Sequence, residues 1–238
     1  MMIGKLLSSD FVKIHHTWLW LLIFLGPFGV ISLQALNYSL RYDYLVSKLK
    51  DQIWIGLLSD IKMLAVLALL FGITLVTSLI ASIEHRQSSW KQLLALPVSR
   101  FNVYTSKYIL SLFMMFTASL LLAVGSVLLG LLLGFGTNIP WSLLLMNSFY
   151  PFLAAIPILA LQLWLSTVIS NQAIPLTCGI LGTVLSVYSI RMPDWMPYKW
   201  PLLVNEANIP EYSVITGILF GFVVFLFSLV HFIRRDVD

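Results

Sequence analysis

Apolar residues run through this chain in long stretches, and short polar segments separate them. Six stretches stand out, at residues 17–37, 62–83, 107–134, 142–169, 174–190 and 212–232. About 20 apolar residues in helical form cross the hydrocarbon core of a bilayer, so each stretch predicts a spanning helix. The third and fourth are long enough to tilt or to extend beyond the core. Pro151 and Pro157 fall inside the fourth. Each removes a backbone donor and predicts a kink there. Ahead of the first span, Ile3, Leu6, Leu7, Phe11 and Ile14 recur at helical spacing, with Lys5, Ser8, Ser9 and Lys13 largely on the other side. Residues 1–16 therefore read as an amphipathic helix lying at the membrane interface, and the competing reading is a frayed tail.

Composition narrows the class. Of the 238 residues, 59% are hydrophobic and 10% charged, against about 25% charged in an ordinary soluble domain. The pattern predicts an all-α integral membrane protein, with residues 17–238 as one six-span domain. The net charge of +4 includes no Lys/Arg cluster dense enough to follow phosphates, so nucleic acid is not an expected partner. Cys178 is the single cysteine, which excludes an intrachain disulfide and a thiol metal site. The first apolar run is too long for a signal-peptide core and no small-x-small site follows it, so it reads as a retained span.

An even number of spans puts both termini on one side. Lys and Arg number eight in the segments on that side and six on the other. This bias places both termini in the cytoplasm. Two segments then face outward. Residues 38–61 are mixed in charge. Residues 191–211 carry Pro193, Pro197, Pro201 and Pro210 with Trp195, Tyr198 and Trp200. They suit either short re-entrant or interfacial helices or an ordinary loop with aromatic anchors.

The inner segment 84–106 holds the most basic stretch of the chain. Trp90, Leu93 and Leu94 stand at i, i+3 and i+4 and share one face of a short helix. Ser88 or Ser89 can cap its start and Pro97 can end it. Arg86, Lys91 and Gln92 flank that face. An aromatic and two leucines among basic residues suit docking on a protein, or resting on lipid headgroups. Glu84 ends the second span, where an acid is costly unless paired. Arg86, Arg100 and Lys107 are its candidate partners, and a solvated helix end is the alternative.

The run from Glu84 through Trp90-Lys91-Gln92-Leu93-Leu94-Ala95-Leu96-Pro97-Val98-Ser99-Arg100 to Lys107 resembles the signature loop of ATP-binding-cassette (ABC) export permeases of the second class. More narrowly, it is similar to the bacterial permeases linked to bacitracin and lantibiotic resistance or immunity. The interfacial first helix, the six spans and the structured segment before the last span extend the resemblance. Ser88-Ser89 departs from it, since many relatives have Gly-Thr there.

The resemblance implies a type V exporter fold in a bacterial cell membrane, with two six-span subunits, identical or paralogous, side by side. It also implies a separate cytoplasmic ATPase that binds ATP and Mg. Glu84, Arg86, Trp90, Lys91, Leu93, Leu94, Pro97, Arg100 and Lys107 would then form the coupling and docking set. Trp90, Leu93 and Leu94 would seat in the ATPase, and Glu84 and Arg100 would stiffen the loop. The expected cargo is a peptide antibiotic or a similar amphipathic molecule.

The chain has no G-x-x-x-x-G-K-[ST] phosphate loop, so ATP is not expected to bind it by that route. Ionisable residues are nearly missing from the span centres, unlike those of ion-coupled carriers. His15, His16, His85 and His231 lie near the inner ends without metal spacing, and no nucleophile has a base at matching depth. Two other readings remain, a vitamin-uptake binding module and an intramembrane enzyme. Gln34, Asn37, Thr74, Thr77, Asn147 and Gln162 are candidates to line a substrate path, or to hydrogen-bond between helices. Gly125, Gly130 and Gly134 can permit close helix contact, including a dimer contact.

Overall fold

The computed structural model describes residues 2–15, 17–49, 52–86 and 99–234. Among them the backbone forms helices and turns and no strand. A chain in lipid must satisfy its own backbone groups, and a helix does so within one segment. The helices are α1 (Met2–His15), α2 (Leu19–Leu40), α3 (Tyr42–Leu49), α4 (Ile53–Arg86), α5 (Arg100–Leu132), α6 (Trp141–Ala154), α7 (Ile156–Val168), α8 (Ala173–Tyr188) and α9 (Pro210–Arg234). Helices α2, α4, α5 and α9, and α8 with the 3-10 turn that continues it to Arg191, are long and apolar enough to cross a membrane. Helices α6 and α7, bent by 41° at the break between them, pass the same test together and bring the number to six if they form one broken span.

That bend is the predicted kink, sharpened into a break at Ala155. Pro157 lies in the first turn of α7 and offers no N–H. The Ala155 N–H still reaches Pro151 O at 3.0 Å, so the crossing stays continuous.

Two spans start earlier than the apolar runs suggest. The second begins at Ile53 rather than at residue 62, because Trp54, Leu57, Leu58 and Ile61 already bury one face. Asp60 interrupts the hydrophobic run without ending the helix, since its carboxylate accepts from the Tyr38 hydroxyl at 3.0 Å. The third begins at Arg100 rather than at residue 107, where Ser99 caps it by accepting from the Asn102 N–H at 3.3 Å. The inner segment expected over 84–106 is correspondingly shorter, with 84–86 and 100–106 inside helices.

Helix α4 is the central column and packs against α2, α5, α6, α7 and α8. The main core gathers Ile14, Leu19 and Ile23 with Val66, Ile73 and Ile80 of α4 and Met114 of α5. A second cluster around Tyr38, Leu45, Trp54 and Leu129 closes the opposite end. There the glycines of α5 serve packing within the chain. Gly130 lies under the Trp54 ring, and Gly125 meets Ile31. Gly134, at φ +77°, ends α5 while the Phe135 N–H returns to Gly130 O at 3.1 Å.

Residues 191–209 contain short turns and no α-helix. They hold 3-10 turns at Ser189–Arg191 and Trp200–Leu202, and α9 already starts at Pro210. Four prolines deny the donors a longer helix needs, and side chains supply the order instead. Lys199 Nζ donates to Met192 O at 2.7 Å and pairs with Asp194 at 2.8 Å. The Trp200 indole donates to Asp194 O at 2.6 Å.

Candidate functional site

The apolar stripe of α1 turns toward the bundle. Ile14 is buried, and the Phe11 ring meets the Phe113 ring edge-on at 5.3 Å. One position on that stripe is an acid. Asp10 lies three residues after Leu7 and four before Ile14, and it is carried into the contact with α5. Its carboxylate accepts from the Ser106 hydroxyl at 2.7 Å and sits 3.4 Å from Lys107 Nζ.

Lys107 Nζ also lies 2.8 Å from Glu84 Oε1, and Lys13 Nζ reaches the same oxygen at 2.8 Å. Glu84 and Lys107 are almost wholly buried. Two carboxylates and two ammonium groups thus meet at one point, and their formal charges cancel. Unpaired charges at that depth would be costly, so neutrality and close geometry are conditions for the cluster to exist.

The cluster's place in the fold gives it mechanical meaning. Glu84 is two residues from the end of α4, and Lys107 is two turns into α5. These helices frame residues 87–98. Asp10 and Lys13 add α1, so three helices are fastened at the end of α4 and the start of α5, which flank residues 87–98 in sequence. The same end carries further ties. The His85 ring nitrogen lies 3.1 Å from Ser166 O. Ser78 donates to Gln172 at 2.9 Å, and Gln172 donates to Ser166 O at 2.9 Å and Ile169 O at 2.8 Å. Arg100 Nη1 donates to Ile233 O at 3.1 Å, and the Trp164 indole donates to His231 at 3.2 Å.

Of the three candidate partners for Glu84, the geometry brings Lys107. Arg100 bonds to the end of α9. The side chain of Arg86, the Ser88-Ser89 cap, and Trp90, Lys91, Leu93, Leu94 and Pro97 lie outside the described residues. Asp10, Lys13 and Ser106 are missing from the sequence-based set. An acid on an apolar stripe was the available signal for Asp10. Nothing local distinguishes Lys13 from a solvated lysine.

The path candidates separate. Thr74 and Thr77 donate to Leu70 O and Ile73 O of their own helix, and the Thr74 side chain occupies the space beside Gly179 of α8. Gln162 donates to Pro175 O at 2.7 Å and ties α7 to α8. Thr74 and Gln162 thus contribute to helix packing, and Thr77 bonds within its own helix. Gln34 donates to Asp60 O at 3.1 Å and accepts from Asn37 at 3.2 Å, which fastens α2 to α4. Asn147 differs, because it faces a cavity between α2, α4, α5 and α6. No group of three or more His, Cys, Asp or Glu among the described residues could hold a metal ion.

A bundle of long apolar helices of this kind defines a multi-pass membrane protein. The family described as ABC-2 family transporter protein matches residues 6–186, and the chain belongs to that family. The match begins inside α1 and ends inside α8, so it includes the whole cluster. No curated protein matches the chain. The chain is accordingly a permease subunit of an ABC transporter. It is not itself catalytic, and its partner is a cytoplasmic ABC ATPase.

Proposed function

We propose that this permease exports or clears an amphipathic molecule of the peptide-antibiotic type, driven by ATPase contacts on residues 87–98. The Asp10–Lys107–Glu84–Lys13 cluster is the observation that carries this reading. It joins both helices that frame the segment, and it adds α1. A push on the segment is therefore shared by three helices instead of being absorbed in one.

In this reading the segment faces the cytoplasm, both termini lie on that side, and the membrane is that of a bacterial cell. Trp90, Leu93 and Leu94 seat in the ATPase, with Arg86, Lys91 and Pro97 shaping the contact. ATP and Mg bind on the partner. Two copies, or a copy and a paralogue, stand side by side. The near absence of charge from the span interiors supports an apolar or amphipathic cargo over an ion.

Affinity purification of the tagged chain from native membranes in mild detergent, with mass spectrometry of its partners, tests the docking. A stoichiometric ATPase that is lost with Trp90→Ala or Leu93→Asp, while the permease still inserts, is the expected result. Full retention of the ATPase by both variants would sink the docking assignment. Resistance of cells to lantibiotic-type peptides, with and without the operating transporter, then tests the cargo.

A further inference from the structure

The end of α4 is tied on two sides. Glu84 meets α1 and α5 through the ion-pair cluster. His85 follows it and turns to α7, where its Nε2 lies 3.1 Å from Ser166 O. A carbonyl oxygen only accepts, so Nε2 carries the proton. Two turns back along α4, the Ser78 hydroxyl donates to Gln172 Oε1 at 2.9 Å. Gln172 immediately precedes α8, yet its side chain does not cap that helix. Its amide turns back instead and donates to Ser166 O at 2.9 Å and to Ile169 O at 2.8 Å.

Ser166 O is therefore a node. It belongs to the last turn of α7, where carbonyls run out of donors within their own helix. It takes one donor from α4 and one from the corner between α7 and α8. Ser78 and Ser166 are both buried, and a buried polar group stripped of its partner is costly. These bonds hold α4, the end of α7 and the start of α8 together. The opposite end of α7 is a weaker joint. The chain bends there by 41° between α6 and α7, and Pro157 withholds the donor that would continue the backbone ladder. Beside the bend, α9 presents Gly217 to Ala154 and Gly221 to Ile156, so the bend rests on bare backbone.

We propose that His85 and Gln172 are positioning residues for transport. They make α7 and the α7–α8 corner follow the end of α4, with the break at Ala155 as the hinge. The ion-pair cluster carries α1 and α5 in the same movement. This inference rests on the reading of residues 87–98 as the driven segment, and it adds the branch by which that drive reaches the bent pair of helices.

The test uses the permease–ATPase complex in nanodiscs. Ser142 lies in the first turn of α6 and Ser170 just beyond α7, and both are exposed. Ser142→Cys and Ser170→Cys, in a Cys178→Ala background, take spin labels. Dilution with unlabelled chain leaves one labelled chain per complex, and the distance between its two labels is measured without nucleotide and with ATP and vanadate. We expect trapping to shift that distance by about 2–5 Å. His85→Leu combined with Ser78→Ala cuts both ties from α4 and removes most of the shift, while the ATPase stays bound and hydrolyses ATP. His85→Gln alone keeps an N–H donor and retains the shift, which a residue serving stability alone would not require. Gln172→Leu is the second variant should the double variant fail to fold, and it too loses the shift.

A shift of native size in these variants would overturn the inference. So would a native complex that holds its ATPase and shows no shift on trapping. A chain that recovers no ATPase overturns the docking reading itself, and this inference with it.

Discussion

Lys107 Nζ and Glu84 Oε1 meet at 2.8 Å across 23 positions of chain, and the segment 87–98 lies between them. The pair is a clasp between the end of α4 and the start of α5. It is almost completely buried, so its strength depends on both partners being present. Removing one member of a buried pair leaves an uncompensated charge and costs about 3–5 kcal/mol, whereas replacing both with apolar groups can be nearly neutral.

Glu84→Gln and Lys107→Met, each alone, should therefore lower the thermal midpoint of the detergent-solubilised permease by several degrees. The double variant should recover most of that loss. The check is a double-mutant cycle of melting curves followed by intrinsic fluorescence. Single variants that melt with the native protein would show that the clasp contributes nothing to stability.

Asp10 fastens α1 through Ser106 and Lys107. Asp10→Ala removes a charged acceptor, a loss of about 1.5–3 kcal/mol, and leaves the Lys13–Glu84 pair, the buried Ile14 and the Phe11–Phe113 contact to hold the helix. Trypsin should then cut after Lys5 and Lys13 faster than in the native chain, while cutting elsewhere is unchanged. Lys13→Ala should have a smaller effect, because its side chain is 31% exposed and water screens its pairing.

Helix α9 approaches the α6–α7 bend at Gly217. A Cβ there would lie 2.6 Å from the Ala154 Cα, a backbone atom unable to move aside. Gly217→Ala should destabilise by about 1–3 kcal/mol through overpacking. Gly29→Ala, in open space, should not. Melting temperatures of the two variants compared side by side check this.

The segment before α9 should be stable in mild acid. The Lys199 side chain, and next the Glu206 N–H at 2.9 Å, hold the Asp194 carboxyl below the usual carboxylate range. Its stabilising effect is therefore complete above the unfolded value of about 3.9 and is lost only as pH falls through the lower folded value. Methyl resonances of Met192 and Met196 should stay constant from neutral pH down to about pH 4 and move below it. In Asp194→Asn they should already be displaced at neutral pH. Resonances that shift between pH 7 and 5 would contradict the assignment.

The sequence by itself determined the class of this protein. Long apolar runs leave the backbone no option in lipid except helices with internal hydrogen bonds, and periodicity before the first run was enough to reveal α1. The prolines of the fourth run declared the bend. Span starts were less legible, because Ile53 to Ile61 forms an amphipathic extension that bulk hydropathy discounts at Asp60 and Lys62.

The tertiary structure decided which polar groups meet. Asp10 lies 97 positions from Lys107, and Lys13 lies 71 from Glu84. No local pattern encodes such pairings, which exist because α1 folds back along α5. The same packing placed Thr74, Thr77 and Gln162 against backbone carbonyls, and set Asn147 both on Leu58 O and at the edge of a cavity. All four are uncharged polar residues in apolar runs, and only the packing of the helices decided which group each one meets.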